Sequence, residues 1–593
     1  MIRLLLSGNE AIARGALSAG VSLATAYPGT PSTEILENLS RLGGTKAIWS
    51  PNEKIAVELA SGVSFAGHRA LAAMKHVGVN VAADPIFTLA YTGVRGGLVI
   101  VTADDPELHS SQNEQDNRRY AAFARVPMLE PTNSQEALDY TREAFELSER
   151  FDIPFFIRTT TRISHGKSLV ETDEKEDKVS AVEPGLVKDP LKYVMVPANA
   201  RVKHRELEER IERIAQYAED CTFNSAEMGD TRLGIITSGI SYNYVKEAVP
   251  DASVLKLGLA FPLPTDLIRD FASRCERVVV VEELEPYLEE WIRFLGIECE
   301  GKSLIPRFGE IDTGTVRKAL ASAPGGSGPS IPVSIPAGEI PARPPVMCVG
   351  CPHRGMFYVL NRKKAFVAGD IGCYTLAVSP PLSAIHTTVC MGAGVSQAVG
   401  IEAVLPEEHG KVVAVIGDST FLHSGMGGVL NMAYNAIPAT VIILDNYTTA
   451  MTGRQDHPGS GFDSAGNRTR QVDWETLLRG LGIEHVRLVD AYDIDAIDQV
   501  LEEEINRDSP SVIVVQGACM LLRNRPVKML DPYRIDREVC TNCGTCLKIG
   551  CPAISRKDGS AGEKPVIDET QCTGCELCFQ VCRFEAIGKI SER

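Results

Sequence analysis

The feature that most constrains this chain is a group of eight cysteines within its C-terminal tail. They form two runs, Cys540-x2-Cys543-x2-Cys546-x4-Cys551 and Cys572-x2-Cys575-x2-Cys578-x3-Cys582. Three thiolates spaced three residues apart can wrap one corner of a cubane, and a more distant fourth thiolate completes its coordination. Zinc ribbons also use Cys-x2-Cys pairs. The third cysteine at the same spacing favours iron–sulfur clusters over zinc, and therefore a protein that transfers single electrons.

The two runs resemble those of two-cluster ferredoxins, in which the fourth cysteine of each run ligates the other cluster. That exchange predicts two [4Fe–4S] sites, namely a first tail set of Cys540, Cys543, Cys546 and Cys582 and a second tail set of Cys572, Cys575, Cys578 and Cys551. Both runs depart from the usual form, because an extra residue precedes Cys551 and Arg583 stands where proline is expected. The extra residue leaves open whether the second tail set holds a complete [4Fe–4S] or a [3Fe–4S] centre.

Composition and charge exclude several classes of protein. The chain is 44% hydrophobic and 23% charged, as in ordinary soluble globular proteins. Its net charge of −17 argues against a nucleic-acid partner, which would require a basic face. The N-terminus lacks the apolar stretch of a signal peptide, and no apolar run is long enough to span a membrane. Sixteen cysteines without an export signal indicate metal ligation in a reducing cytoplasm.

Alternating apolar runs and amphipathic segments predict an α/β fold with parallel sheets. Val412–Ile416 is typical of a buried strand, and the charge pattern of Ala200–Ala218 predicts a helix. The predicted organisation is three doubly wound α/β domains at 1–165, 231–320 and 346–528, a charged, partly helical connector at 166–230, a Pro/Gly-rich linker at 321–345 and an α+β ferredoxin-like domain at 529–593.

Two strand ends in the third α/β unit predict a site for Mg²⁺ and a diphosphate. Gly417, Asp418 and Ser419 follow the strand Val412–Ile416, and Asn446 follows the next predicted strand. Parallel strands deliver such side chains to one edge of the sheet, and hard oxygen ligands suit Mg²⁺. The pattern resembles the thiamine diphosphate motif, which implies that Asp418 and Asn446 bind Mg²⁺ through side chains and Thr448 through its carbonyl. The alternative is that Asp418 only caps a helix.

Thiamine diphosphate enzymes also need a glutamate at N1′ of the aminopyrimidine, and Glu53 is the candidate. It begins a predicted helix of small residues after Asn52. A buried carboxylate with a raised pKa would suit this proton transfer. On its own, a glutamate in the first turn of a helix is better explained by the helix dipole.

Three further motifs resemble the 2-oxoacid:ferredoxin oxidoreductase family. They are Tyr27-Pro28-Gly29-Thr30-Pro31-Ser32, Ala66-Gly67-His68-Arg69-Ala70 and Cys348-Val-Gly-Cys351-Pro-His353-Arg354-Gly355. The resemblance implies a pyrimidine-binding domain at 1–165, a transketolase-C-like domain at 231–320 and a diphosphate-binding domain at 346–528. It also implies that Glu53 is the N1′ glutamate and that Thr30 helps to hold the substrate.

The same resemblance implies a third cluster beside the thiamine ring. Its ligands would be an inner set of Cys348, Cys351, Cys373 and Cys519. Such a cluster could accept electrons one at a time from the decarboxylated substrate. Without the resemblance, four scattered cysteines are equally well explained as small buried side chains.

One position argues against pyruvate as the main substrate. Pyruvate-specific members of the family carry an arginine for the substrate carboxylate after a strand like Val101-Thr102-Ala103, whereas this chain continues with Asp104 and Asp105. An acidic pair cannot bind a carboxylate. The cations that could replace the arginine are His76, Arg95 and His109, each of which also suits a structural role.

The resemblance implies oxidative decarboxylation of an arylpyruvate such as indolepyruvate, with coenzyme A as acyl acceptor and ferredoxin as electron acceptor. It further implies a separate small (beta, gamma-type) subunit and an assembly of two large and two small subunits. Three alternatives compete: another 2-oxoacid as substrate, branched-chain or pyruvate; a non-oxidative thiamine diphosphate decarboxylase; and a pure electron-transfer subunit. The decarboxylase would have no use for the tail cysteines, and the electron-transfer subunit no use for Asp418, Asn446 and Glu53.

Overall fold

The computed structural model describes residues 2–172, 183–321, 345–522, 531–556, 560 and 562–592, and the chain divides into two units, Met1–Ser334 and Ile335–Arg593. Of the predicted linker 321–345, all but residues 321 and 345 lie outside the described residues. No helix within the described ranges combines the length and the apolar character that crossing a bilayer requires.

A seven-stranded sheet forms the centre of the first unit. In spatial order its strands are Leu259–Phe261, Met128–Leu129, Phe155–Thr160, Leu98–Asp104, Ala70–Lys75, Leu23–Ala26 and Lys46–Trp49. All pairings are parallel except that of Leu259–Phe261 with Met128–Leu129. The three central strands are buried along their whole length, as expected of parallel strands covered on both faces.

A four-stranded sheet forms the rest of the first unit, with the order Val278–Val281, Asp230–Thr237, Ala252–Leu257 and Asn224–Glu227. Ile2–Ser7 pairs separately with Lys167–Thr172 in antiparallel fashion. The helices of the unit are Gly8–Ser18, Thr33–Leu42, Glu53–Phe65, His76–Thr92, Arg118–Ala124, Ser134–Phe151, Thr161–His165, Pro190–Tyr193, Pro197–Asp220, Ser241–Ala248, Thr265–Ser273, Tyr287–Phe294 and Thr313–Ala319.

A five-stranded parallel sheet forms the centre of the second unit. Its strands, in spatial order, are Phe366–Ala368, Val412–Gly417, Thr440–Asp445, Ser511–Gln516 and His485–Asp490. The main helices are His353–Lys363, Ala393–Val404, Met426–Tyr434, Trp474–Gly480 and Ile494–Ile505. The structure therefore has the α/β architecture with parallel sheets that the sequence predicts.

The cysteine-rich tail contains two short antiparallel pairs, Tyr533–Ile535 with Ile587–Lys589 and Ile554–Ser555 with Val566–Ile567. Its helix Leu577–Gln580 lies within the second cysteine run and contains Cys578. Ile549, Leu577 and Val581 of the tail are buried in the same hydrophobic core as Phe357 and Ile497 of the parallel-sheet region. The tail is thus packed as part of the second unit.

Candidate active site

The predicted Mg²⁺ ligands lie at one edge of the parallel sheet in the second unit. The strands Val412–Gly417 and Thr440–Asp445 are neighbours, with Gly417 opposite Leu444, so the residues after each strand emerge together. The backbone N–H of Asn446 donates to Oδ2 of Asp418 at 3.2 Å, and both side chains are buried. The structure brings this predicted pair together.

The carboxylate of Asp418 is held by neighbours on two sides. The Ser419 N–H donates to Oδ1 at 2.8 Å, and Nε2 of His457 lies 3.2 Å from Oδ2. Although burial opposes ionisation, the neighbouring His457 keeps the pKa of Asp418 below its ordinary value. Burial and the Asp418 charge raise the pKa of adjacent Asp445 to about 7. Asp418 is therefore the ionised member of this pair.

The turn after Asn446 orients its amide. Tyr447 adopts a left-handed conformation (φ 63°), and the Thr448 N–H donates to Oδ1 of Asn446 at 3.1 Å. On the other side, Nδ2 of Asn446 lies 3.2 Å from Nε2 of His353. Burial lowers the pKa of His353 to about 4, so its neutral ring can accept from the amide. His353 thus orients the Asn446 oxygen away from itself.

The donor chemistry fits Mg²⁺ and a diphosphate. Among the described residues no three His, Cys, Asp or Glu side chains converge on one metal position. The expected ligand set contains a single carboxylate, with an amide oxygen and a main-chain carbonyl, so a diphosphate and water would have to complete an octahedral shell. Gly417 lies against the ring of Tyr374, and an added Cβ would come within 2.7 Å of Cε1 of that ring. The hydroxyl groups of Ser419 and Thr449 form a hydrogen bond with each other.

The four cysteines of the inner set lie near one another at this edge of the sheet, although they are not as close together as the ligands of a formed metal site. Burial, together with the charges of Cys373 and Cys348, raises the pKa of Cys351 to about 12. Burial and the charges of Cys519 and Cys348 likewise raise the pKa of Cys373 to about 12. The Cys519 N–H donates to the Asn446 carbonyl at 3.2 Å. Neighbouring thiolates would repel one another without a metal, so such a group of cysteines suits iron, which binds them as thiolates.

The tail cysteines lie near one another in the structure. Burial and the charges of Cys540, Cys543 and Cys582 raise the pKa of Cys546 to about 11, which places the first tail set together. Burial and the charges of Cys575, Cys572, Cys551 and Cys546 raise the pKa of Cys578, so the second tail set lies together and next to Cys546 of the first tail set.

A small cavity is lined by all four cysteines of the second tail set. The extra residue before Cys551 is accommodated by a left-handed Gly550 (φ 71°), which ends the short helix Thr545–Ile549. Cys551 therefore reaches its predicted partners despite the departure in spacing.

Tyr492 lies between the inner set and the second tail set. Its hydroxyl donates to the Gly350 carbonyl at 2.9 Å, within the Cys348–Cys351 loop. Burial and the charges of Cys575 and Cys351 raise its pKa. The second tail set is therefore the one that adjoins the inner set.

The predicted pyrimidine-side residues lie in the first unit. Glu53 begins the helix Glu53–Phe65, is 5% exposed, and follows Asn52, whose side chain accepts from the Ile55 N–H. Its carboxylate packs against Gly78, where an added Cβ would lie 2.7 Å from Oε1. Thr30 follows the strand Leu23–Ala26, and its carbonyl accepts a long hydrogen bond (3.4 Å) from the Ser110 hydroxyl.

The cations considered for the substrate carboxylate have structural partners. A ring nitrogen of His76 lies 3.2 Å from the Asn113 carbonyl, Arg95 donates to main-chain carbonyls, and Nε2 of His109 lies 3.2 Å from Glu310. Of the acidic pair, Asp104 binds the buried Arg158.

Lys75 lies at the carboxyl edge of the seven-stranded sheet in the first unit and is a candidate cation that was not predicted from the sequence. It ends the strand Ala70–Lys75, and its stem packs against Gly29, the residue before Thr30. Its amine donates to the Ser110 carbonyl at 2.5 Å and lies 4.0 Å from Asp105. Burial lowers its pKa to about 8. No local sequence pattern predicts the position of Lys75, because it approaches the Thr30 loop only through the pairing of strands in the sheet.

Comparison with known proteins places the chain in a family. The "Indolepyruvate oxidoreductase subunit IorA" of Archaeoglobus fulgidus is 42% identical over 617 residues, covering 99% of this chain and 97% of the relative. That of Thermococcus kodakarensis is 40% identical over 637 residues, covering 100% and 97%. The chain belongs to the indolepyruvate oxidoreductase subunit IorA family. The "Ketoisovalerate oxidoreductase subunit VorB" of Methanothermobacter thermautotrophicus is a more distant relative of this IorA-family chain, 26% identical over 51% of the chain and 93% of the relative.

Family models match three regions of this IorA-family chain. "Pyruvate flavodoxin/ferredoxin oxidoreductase, thiamine diP-bdg" matches residues 14–227, "Thiamine pyrophosphate enzyme, C-terminal TPP binding domain" matches 370–515, and "4Fe-4S binding domain" matches 565–588. These matches confirm the predicted oxidoreductase family, the thiamine diphosphate-binding domains and the C-terminal [4Fe–4S] domain. They span Glu53, Asp418, Asn446 and the second cysteine run.

Proposed function

We propose that this chain is the catalytic large subunit of an enzyme that oxidatively decarboxylates arylpyruvates, with indolepyruvate as the principal substrate. Indolepyruvate, coenzyme A and oxidised ferredoxin would give indoleacetyl-CoA, CO2 and reduced ferredoxin. The observation that carries the proposal is the position of the inner cysteine set, which shares a sheet edge with Asp418 and Asn446 and adjoins the tail cysteines. Carbon chemistry and electron removal would then take place in neighbouring parts of one chain.

Asp418, Asn446 and the Thr448 carbonyl would hold Mg²⁺ and, through it, the diphosphate. His353 and His457 would act as positioning residues for this set, since His353 orients the Asn446 amide and His457 keeps Asp418 ionised. Bound thiamine diphosphate supplies the carbon nucleophile and electron sink, and bound clusters supply one-electron acceptors.

Glu53 would hold a proton at N1′ of the aminopyrimidine. Its burial and its tight contact with Gly78 fix the carboxylate in one place, which favours proton transfer to a fixed ring atom. Thr30 and Lys75 would orient the substrate. This chain lacks an arginine directly after Val101–Ala103, so the Lys75 amine would bind the substrate carboxylate instead. Asp105 would hold the loop that carries Ser110, because it accepts from the N–H of Ser110 at 2.9 Å.

Three cluster sites would lead from the coenzyme to the surface. The inner set and the second tail set adjoin at Tyr492, and Cys543 of the first tail set is exposed. An external ferredoxin would therefore dock near the first tail set.

The proposed domain roles are pyrimidine binding for 1–165, a transketolase-C-like domain for 231–320 and diphosphate binding for 346–528. The four-stranded sheet within 224–281 supports the second of these. We also propose a separate small subunit, in an assembly of two large and two small subunits. The relatives are each named as a subunit of indolepyruvate oxidoreductase, which supports a multi-subunit complex.

An anaerobic assay with indolepyruvate, coenzyme A and a viologen dye, using the chain co-expressed with its small subunit, tests the function. Dye reduction with acyl-CoA formation is expected. Aldehyde without dye reduction would identify a non-oxidative decarboxylase, and electron transfer without carbon chemistry would identify an electron-transfer subunit. A panel of indolepyruvate, phenylpyruvate, pyruvate and branched 2-oxoacids tests the substrate class. Lys75→Met should raise KM for every 2-oxoacid, whereas Lys75→Arg should retain binding.

A further inference from the structure

Arg354 is a fully enclosed cation whose hydrogen bonds all go to neutral carbonyl groups. It lies in the first turn of the helix His353–Lys363 and is 2% exposed. Its Nε and Nη2 donate to the Cys348 carbonyl at 3.2 and 3.0 Å, and Nη2 also donates to the Met347 carbonyl at 2.5 Å. Its Nη1 donates to the carbonyls of Ile549 and Gly550 at 3.2 and 2.5 Å. One guanidinium therefore joins the inner cysteine loop to the loop that precedes Cys551.

Within the described parts of the chain, Arg354 forms no ion pair with a carboxylate. The four other buried arginines of the described residues are different, because each forms an ion pair with at least one carboxylate. Arg69 contacts Glu149, Arg118 contacts Asp116 and Glu282, Arg158 contacts several acidic side chains, and Arg210 contacts Asp152. Burying a cation is costly unless an opposite charge lies nearby. Carbonyl groups satisfy the N–H donors of Arg354 but do not balance its charge.

The groups around Arg354 indicate where the balancing charge would lie. Arg354 lines the same cavity as all four cysteines of the second tail set. Glu576 also lines that cavity, but its carboxylate contacts Tyr533 and Lys589. On the inner side, the positive charge of Arg354 counters part of the rise that burial causes in the pKa of Cys351. The nearest anions on both sides would be cluster thiolates.

We propose that Arg354 is a positioning and potential-setting residue that places one positive charge, without a carboxylate partner, between the inner centre and the second tail centre. This inference rests on the proposed function. Reduction adds one negative charge to a cluster, and a fixed cation in a dry environment stabilises that charge. Arg354 therefore raises the reduction potential of the adjoining centres, while its fork of hydrogen bonds fixes the distance between the two loops.

The test compares Arg354→Met with Arg354→Lys in the complete enzyme, by potentiometric titration followed by electron paramagnetic resonance. Arg354→Met should make reduction of at least one centre about tenfold less favourable, which is about 59 mV for a one-electron couple. Arg354→Lys keeps the charge and should retain most of the potential. The matched control is Arg362→Met, which removes an exposed cation from the same helix and should leave all potentials unchanged.

Unchanged potentials in Arg354→Met with full iron content would overturn the proposal. Iron loss in Arg354→Met with retention in Arg354→Lys would support it, because charge alone then decides cluster binding. Equal iron loss in both variants would also overturn it, since the hydrogen-bond fork rather than the charge would be essential. A wild-type protein without iron would instead refute the proposed function, so the two failures are distinguishable.

Discussion

Gly78 offers a way to displace the Glu53 carboxylate without changing Glu53 itself. An alanine Cβ at this position would lie 2.7 Å from both Cγ and Oε1 of Glu53 and 3.0 Å from Cδ. Ordinary van der Waals separations begin at about 3.5 Å, so the carboxylate must retreat by about 0.8 Å. Gly78 lies in the first turn of the helix His76–Thr92 without a positive φ, so the alanine backbone itself is unstrained.

The expected consequence of Gly78→Ala is loss of activity with little loss of stability. Misplacing a catalytic group by about 1 Å costs about 10²-fold in rate, or about 2.7 kcal/mol in the activation barrier. The free energy of unfolding should change by no more than about 2 kcal/mol, because the gain in helix propensity offsets part of the crowding. Turnover should therefore fall far more than the melting temperature.

The assay is indolepyruvate-dependent dye reduction under anaerobic conditions, together with thermal unfolding and thiamine diphosphate binding. Glu53→Gln gives the reference for complete loss of the carboxylate, expected at about 10²- to 10⁴-fold. Gly62→Ala is the matched control, because it lies in the helix Glu53–Phe65 with no atoms within 4 Å of the added Cβ. Wild-type turnover in Gly78→Ala alongside an inactive Glu53→Gln would refute the argument that this contact positions the carboxylate.

Three other substitutions test separate parts of the structure. Asp418→Asn should weaken Mg²⁺-dependent binding of thiamine diphosphate on the order of tenfold or more, because a charged hard ligand is lost. Calorimetry at several Mg²⁺ concentrations would measure the affinity for thiamine diphosphate. An unchanged affinity would exclude Asp418 as a ligand. Cys551→Ser should remove iron from one tail centre and leave a three-iron signal in the paramagnetic spectrum, whereas the exposed Cys390→Ser should change neither. Burial raises the pKa of Glu283 from 4.5 to about 7, so its contribution to the free energy of unfolding is complete below pH 4.5 and is lost as the pH rises through 7. Glu283→Gln should therefore reduce the loss of melting temperature between pH 5 and pH 8, and an unchanged pH profile would contradict this.

Much of the fold could be predicted because its signals are local. The apolar run Val412–Ile416 predicted a strand that the structure extends by one residue, to Val412–Gly417. Buried parallel strands need nearly continuous apolar residues, so each can be recognised by itself. The helix predicted over Ala200–Ala218 is observed as Pro197–Asp220, with Pro197 in its first turn, where proline is tolerated.

The pairing of Leu259–Phe261 could not be predicted in the same way. This strand lies within the region 231–320, which the sequence suggested as a separate unit, yet it completes the sheet of the first region by pairing with Met128–Leu129. Three residues carry too little pattern to identify a distant partner. Edge pairing depends on tertiary packing rather than on local propensity.

In the candidate site, too, some residues could be predicted from the sequence and others only from the three-dimensional structure. The grouping of Cys551 with Cys572, Cys575 and Cys578 was predicted from the resemblance to two-cluster ferredoxins, in which the fourth cysteine of each run ligates the other cluster. His457 was missed because it lies in an irregular loop and meets Asp418 only in three dimensions. The contacts of Arg354 were equally invisible, because its motif gives no indication that the side chain joins two cysteine loops.

The burial of Ile549, Leu577 and Val581 in the core of the parallel-sheet region has a consequence for how the enzyme exchanges electrons. A redox module on a flexible tether can swing between donor and acceptor, but one that shares its interior with the catalytic scaffold cannot. Under the proposed function, the distances between clusters within this unit would be set at folding. The partner that moves in each cycle would then be the carrier that arrives from solution.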